Sequence, residues 1–210
     1  MEPPTSLDTR GLDEATDGPR ISPAGSVTLV PIYLAGLDHL LPTLRQVLER
    51  AFGIPTRQHL PGFDPEATLE PARGQYNSRA LLALLLREPA PPGTRVLGVC
   101  GIDLFIPVLT YVFGEAQFEG SAAIVSAHRL RSEMYGLPAD PGLLAERLQK
   151  EAIHELGHTF GLVHCVHSDC VMHSSTYVEE IDLKSASLCS RCHARCRSFQ
   201  ARDPRTHATR

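Results

Sequence analysis

His154-Glu155-Leu156-Gly157-His158-Thr159-Phe160-Gly161-Leu162-Val163-His164 gathers three histidines and one glutamate into eleven consecutive residues. On a helix turning about 100° per residue, His154 and His158 share one face one turn apart, so both rings reach a single tetrahedral ion. Glu155 falls beside that pair rather than in line with it, and its carboxylate stays free to take a proton from a water that the metal activates. His164 lies six residues beyond His158, where an unbroken helix would carry it roughly 240° round and facing away. The chain must therefore turn back. Gly161 stands where the turn is needed, because glycine accepts the positive φ of a helix C-terminus without a steric penalty. His167 and His173 are close enough in sequence to replace His164 if the chain turns differently, but the spacing favours His164.

A second donor set follows at once. Cys165 and Cys170 precede Met172, and Cys189 and Cys192 form a C-x-x-C pair. Two close thiol pairs are a common way to build a closed tetrahedral zinc site that pins the segment between them. Two disulfides are the alternative, disfavoured by the lack of a secretory signal that would place the chain in an oxidising compartment. Cys196 and His193 remain open as substitute ligands.

The spacing from His154 to His164 matches the long metzincin signature of zinc peptidases. The whole run from His154 to Cys192 resembles the archaemetzincin family, in which the metal-binding helix leads directly into C-x4-C-x-M and a later C-x-x-C. One departure is a gap of sixteen residues between Met172 and Cys189, one fewer than the family pattern, which bears on a loop more than on function. The resemblance extends upstream through Gly98–Leu130 and weakly to Tyr76-Asn77-Ser78, covering roughly residues 26 to 200. It implies a metzincin-like α/β domain with a twisted mixed β-sheet, an active-site helix and a C-terminal helix. It also implies two Zn2+ ions, one catalytic and one structural, and places Met172 beneath the catalytic ion without coordinating it. A plain packing role for Met172 is compatible with that, since methionine fills irregular gaps.

With 210 residues the chain is long enough for one domain with a sizeable core. Residues 1–25, rich in Pro, Gly and acidic side chains, read as a disordered leader, 26–200 as the metallopeptidase domain and 201–210 as a flexible tail. A net charge of -4 offers no broad attraction to nucleic acid or anionic membranes. No apolar run is long enough to span a bilayer. The expectation is a cytoplasmic monomer whose partner is a peptide or protein substrate.

The strand and helix pattern alternates before the metal helix. Strands are expected at Val27–Leu34, Thr56–Leu60 and Arg95–Ile102, with Tyr111–Gly114 and Ala122–Ala127 as a hairpin or antiparallel edges. Helices are expected at Asp38–Phe52, Ser78–Arg87, from Pro141 to about Leu162, and Leu183–Phe199. Cys100, alone in an apolar strand, reads as core. His128 reads as a surface residue at a strand end.

The chemistry expected is hydrolysis of a peptide bond, with Glu155 as general base and proton shuttle. Substrate would lie along Ala122–Ser126 as an edge strand, and the Tyr177 hydroxyl is a candidate oxyanion contact. A non-catalytic zinc module and a hydrolase of small amides are the alternatives. Retention of Glu155 counts against the first, because a structural site needs no free carboxylate.

Overall fold

The computed structural model describes residues 25–203. Ser26–Ile32 (β1), Thr94–Cys100 (β5) and Ala122–Ser126 (β9) run parallel in the middle of a five-stranded sheet. Thr56–Gln58 (β2) closes one side in parallel, and Gly114–Ala116 (β8) closes the other antiparallel to β9, giving the order β2-β1-β5-β9-β8. The central strands are β-branched and apolar because both faces are covered. Val27, Leu29, Leu97, Val99, Ala123 and Val125 point to one side, into the cluster formed with Leu41–Phe52 (α1) and Pro141–Thr159 (α3). Val30, Ile32, Val96, Cys100, Ala122 and Ile124 point to the other, against Ser78–Leu85 (α2). Burial pushes the Cys100 thiol up to about 12, in keeping with a core residue.

A second sheet of four short strands has the order β3-β4-β6-β7, formed by Leu69–Glu70 (β3), Gln75–Asn77 (β4), Leu104–Ile106 (β6) and Leu109–Val112 (β7). The expected strand at Tyr111–Gly114 is thus shared: its first two residues end β7 and its last begins β8. Arg73 braces the β6–β7 hairpin, donating to the carbonyls of Leu109 (3.2 Å) and Thr110 (2.9 Å) while its guanidinium lies 4.1 Å over the Phe105 ring.

Three expectations are corrected. Ala122–Ser126 is no edge: β9 pairs with β5 on one side and β8 on the other, and all five of its residues are buried. The last expected helix, Leu183–Phe199, starts too early: Leu183 ends a separate short helix, Val178–Leu183 (α4), residues 184–189 are not helical, and the last helix is Ser190–Arg202 (α5). The expected tail begins too early, since Ala201 and Arg202 complete α5 and Asp203 is 4% exposed. Apart from Gly25, the expected leader lies outside the described residues, as do residues 204–210.

Asp203 is buried because it forms an ion pair with Arg95, which is 1% exposed on β5. The Arg95 guanidinium lies 4.8 Å over the ring of Phe160 and 6.0 Å over that of Phe199, so one cation ties the sheet, the end of α3 and α5 together. Removing one partner of such a pair takes away the opposite charge that faces the other in the core. Asp203→Ala is expected to lower stability by about 3–5 kcal/mol in denaturant titrations; a loss below about 1 kcal/mol would show that the pair contributes no more than a surface bridge.

Candidate metal centres and cleft

Asp140 caps α3 by accepting from the backbone N–H of Leu143 (2.9 Å), with Pro141 at the first helical position, where a missing N–H does no harm. The helix ends at Thr159, three residues before the expected end, and Gly161 takes φ +72°. That left-handed turn brings His164 back to the helix: its ring centroid lies 5.3 Å from that of His154 and 5.1 Å from that of His158.

The hydrogen bonds of the first two histidines decide what they can hold. The His154 Nδ1 lies 2.9 Å from the Val171 carbonyl oxygen, and the His158 Nδ1 lies 2.7 Å from that of Leu162. A carbonyl only accepts, so each Nδ1 carries the proton and donates. Both Nε2 atoms are left with lone pairs, and they face one another at 3.1 Å. Two lone pairs at that distance repel unless a cation lies between them. Tetrahedral zinc with Zn–N bonds of about 2.0–2.1 Å sets its donors roughly 3.3 Å apart, so the residues fit the ion. Burial lowers the pKa of all three rings, aided by the nearby Lys184 charge, and so favours the neutral form that binds metal.

Cys165, Cys170, Cys189 and Cys192 also converge, their sulfurs all within 4.8 Å of one another. The Cys165 and Cys189 Sγ atoms are 3.8 Å apart, the roughly 3.8 Å expected between thiolates on one tetrahedral zinc. All six cysteines are unpaired. The backbone N–H of Cys192 is the main influence lowering the Cys189 thiol to about 7. Cys196 lies outside the group, buried with its thiol pushed up to about 12, and so does the exposed His193. The two centres share backbone: the Cys165 N–H donates to the Met172 carbonyl (2.9 Å), and Cys165 directly follows His164. Met172 is fully buried against Gly157, where an added Cβ would lie 2.6 Å from the Met172 Sδ.

Glu155 contributes no atom to either group. Burial raises its pKa well above the ordinary carboxylate value, the charges of Glu151 and Glu115 add to that, and Lys184 opposes it. Its side chain lies against Gly114 of β8 so closely that a Cβ there would fall 2.5 Å from the Glu155 Cγ. The three histidines and Glu155 open into a cleft of about 670 Å3. Its walls are the β6–β7 hairpin, β8, Phe118 and the segment Ser174–Tyr177. Tyr177 lines the cleft and is 63% exposed. His128, beyond β9, does not line it.

Sequence reading missed Glu151, which lines the cleft one turn before Glu155; the four-residue spacing on the same helix face was the available signal. It also missed Lys184, which is fully buried with its Nζ 2.8 Å from the Glu151 Oε1. Nothing local marks a lysine for burial.

Three neutral imidazoles converging on one point, with a carboxylate left free beside them in an open cleft, are the equipment of a zinc metallopeptidase. Known proteins agree on the class and narrow it. Residues 68–198 match the model of Peptidase family M54, and the chain belongs to that family. It is 39% identical over 156 residues to the archaemetzincin of Methanocaldococcus jannaschii, covering 74% of this chain and 84% of the relative. Against the archaemetzincin of Methanopyrus kandleri it is 47% identical over 128 residues, covering 61% and 69%. The crystal structure of the Methanopyrus kandleri archaemetzincin superposes with a TM-score of 0.73 at 36% identity, covering 88% of this chain and 99% of that one. A zinc-dependent peptidase from Methanocorpusculum labreanum gives 0.71 at 29% identity, covering 81% and 99%. No helix among the described residues is long and apolar enough to cross a membrane.

Proposed function

We propose that this zinc metallopeptidase holds its catalytic ion on His154, His158 and His164, a second, structural zinc on Cys165, Cys170, Cys189 and Cys192, and uses Glu155 as general base. The observation that carries the reading is the facing pair of His154 and His158 Nε2 lone pairs at 3.1 Å, with the free carboxylate of the neighbouring Glu155 in the same cleft. Zinc at the three histidines supplies Lewis acidity toward water and toward the scissile carbonyl. Glu155 takes the proton of the attacking water on a carboxylate oxygen and hands it to the departing amine. Its raised pKa suits both halves of that task, since a carboxyl group whose pKa lies nearer that of a zinc-activated water takes the proton more readily and can still release it to the amine.

β8 replaces β9 as the strand that receives substrate. Its inner side is taken by β9, with Glu115 opposite Ile124 and the Ser126 N–H donating to the Phe113 carbonyl. Antiparallel pairing alternates, so the main-chain groups of Gly114 and Ala116 are directed outward, toward an extended peptide in the cleft. Gly114 permits this approach of strand and base, because any side chain there would meet the Glu155 side chain or the Ile124 carbonyl at 2.6 Å.

The purified protein is expected to contain two zinc ions per chain by elemental analysis and to cleave members of a peptide library, with products read by mass spectrometry. One ion or none after preparation with zinc present would remove the two-centre reading. Two ions without cleavage of any peptide would favour a non-catalytic zinc module.

A further inference from the structure

His154 and His158 are placed by their helix, but His164 lies five residues beyond its end and is exposed. Its position must be set from outside the helix. The residue that follows it is held at both ends: the Cys165 N–H donates to the Met172 carbonyl (2.9 Å), and the Cys165 carbonyl oxygen lies 2.9 Å from the His173 Nδ1, which must therefore donate to it. His173 is held in turn, its own carbonyl accepting from the Lys184 Nζ (3.2 Å). Lys184 is fully buried and pairs at 2.8 Å with Glu151, on α3 one turn before Glu155.

We propose that His173 and Lys184 are positioning residues for His164, a relay that starts at Glu151 on α3 and ends at the carbonyl of Cys165, the residue directly after the third metal donor. The proposal rests on the reading that the three histidines hold zinc. The alternative is that Lys184 and Glu151 only fasten α4 to α3. That fastening already exists, however, because Arg147 donates to both carboxylate oxygens of Asp182 (2.7 and 2.6 Å) and the Lys150 Nζ donates to the Asp182 carbonyl (3.2 Å). A buried ion pair is moreover poor evidence for stability, since an apolar replacement of similar volume is often as stable. What an apolar pair would not supply is the donor that Lys184 offers to the His173 carbonyl.

The test is zinc retention by the full chain against a graded series of chelators, read by elemental analysis, with His158→Ala marking which step belongs to the histidine centre. His173→Leu is expected to weaken zinc at the histidines by roughly 10–100-fold, as loss of a group that orients a metal donor typically does, while the thiol centre keeps its ion. His173→Asn, whose amide N–H can take the place of the Nδ1–H, is expected to restore most of the affinity. The pair Lys184→Met with Glu151→Gln leaves no charge stranded and is expected to weaken the same step. A purely structural role would lower the melting temperature of these variants without moving that step. Zinc retention equal to wild type in His173→Leu, or equally poor retention in His173→Asn and His173→Leu, overturns the relay alone. A wild-type chain that holds zinc only at its thiols overturns the three-histidine reading and the relay with it.

Discussion

Glu155→Gln is expected to reduce peptide hydrolysis by at least ~10²-fold while both zinc ions stay bound. The amide is close to isosteric with the carboxylate and therefore keeps the contact with Gly114, yet it accepts no proton at any working pH. Metal content decides the interpretation, because Glu155 belongs to neither donor group. Loss of activity with two ions present isolates the base. A variant that retains its metal and fold and still cleaves peptides near the wild-type rate would show that proton transfer runs through another group, with Glu151 the nearest carboxylate on the same helix face.

Cys189→Ser carries the second large effect. The Cys189 sulfur lies 3.8 Å from that of Cys165, and its residue caps α5, so its loss removes a donor at the point where the last helix joins the molecule. Apparent binding free energies of thiolate zinc sites are on the order of 10 kcal/mol, comparable with the whole stability of a domain, about 5–15 kcal/mol. The variant is expected to carry one zinc fewer and to melt far below wild type. His158→Ala should lose the other ion with the fold largely kept, because its ring is on the cleft side of α3 and not in the sheet–helix core. If Cys189→Ser retained full metal and full stability, the four thiols would not form a zinc centre.

The parts of this molecule visible in its sequence are those fixed by local geometry. Two histidines four apart on a capped helix converge whatever surrounds them, and the glycine after the helix marks the turn that returns His164. The four thiols were legible by type and spacing, though their convergence depends on a break between α4 and α5 that helix periodicity did not mark. The misplaced substrate strand has a definite cause. Ala122–Ser126 is apolar except for its last residue, the composition of a strand covered on both faces, whereas the true edge, Gly114–Ala116, is three residues long and contains a glycine and a glutamate. The second sheet went unseen because strands of two to four residues leave no readable alternation. Glu151 with Lys184, and Arg95 with Asp203, are contacts between distant segments, and nothing in a single segment announces its partner.

Arg95 and Asp203 are 108 residues apart, and that separation has a consequence for the order in which the molecule assembles. Loop closure over such a length costs entropy before the contact rewards it. On the ribosome, β1, β5 and β9 are all complete while Asp203 is still to be added. Cys192 arrives in the same late stretch, on the first turn of α5. The carboxylate that pairs with Arg95 and the last of the four clustered thiols are therefore supplied together, by α5 and the residue that follows it. A nascent chain has its full histidine motif before it has Cys192 or Asp203, so neither the complete four-thiol group nor the Arg95–Asp203 pair can form until synthesis has reached those residues.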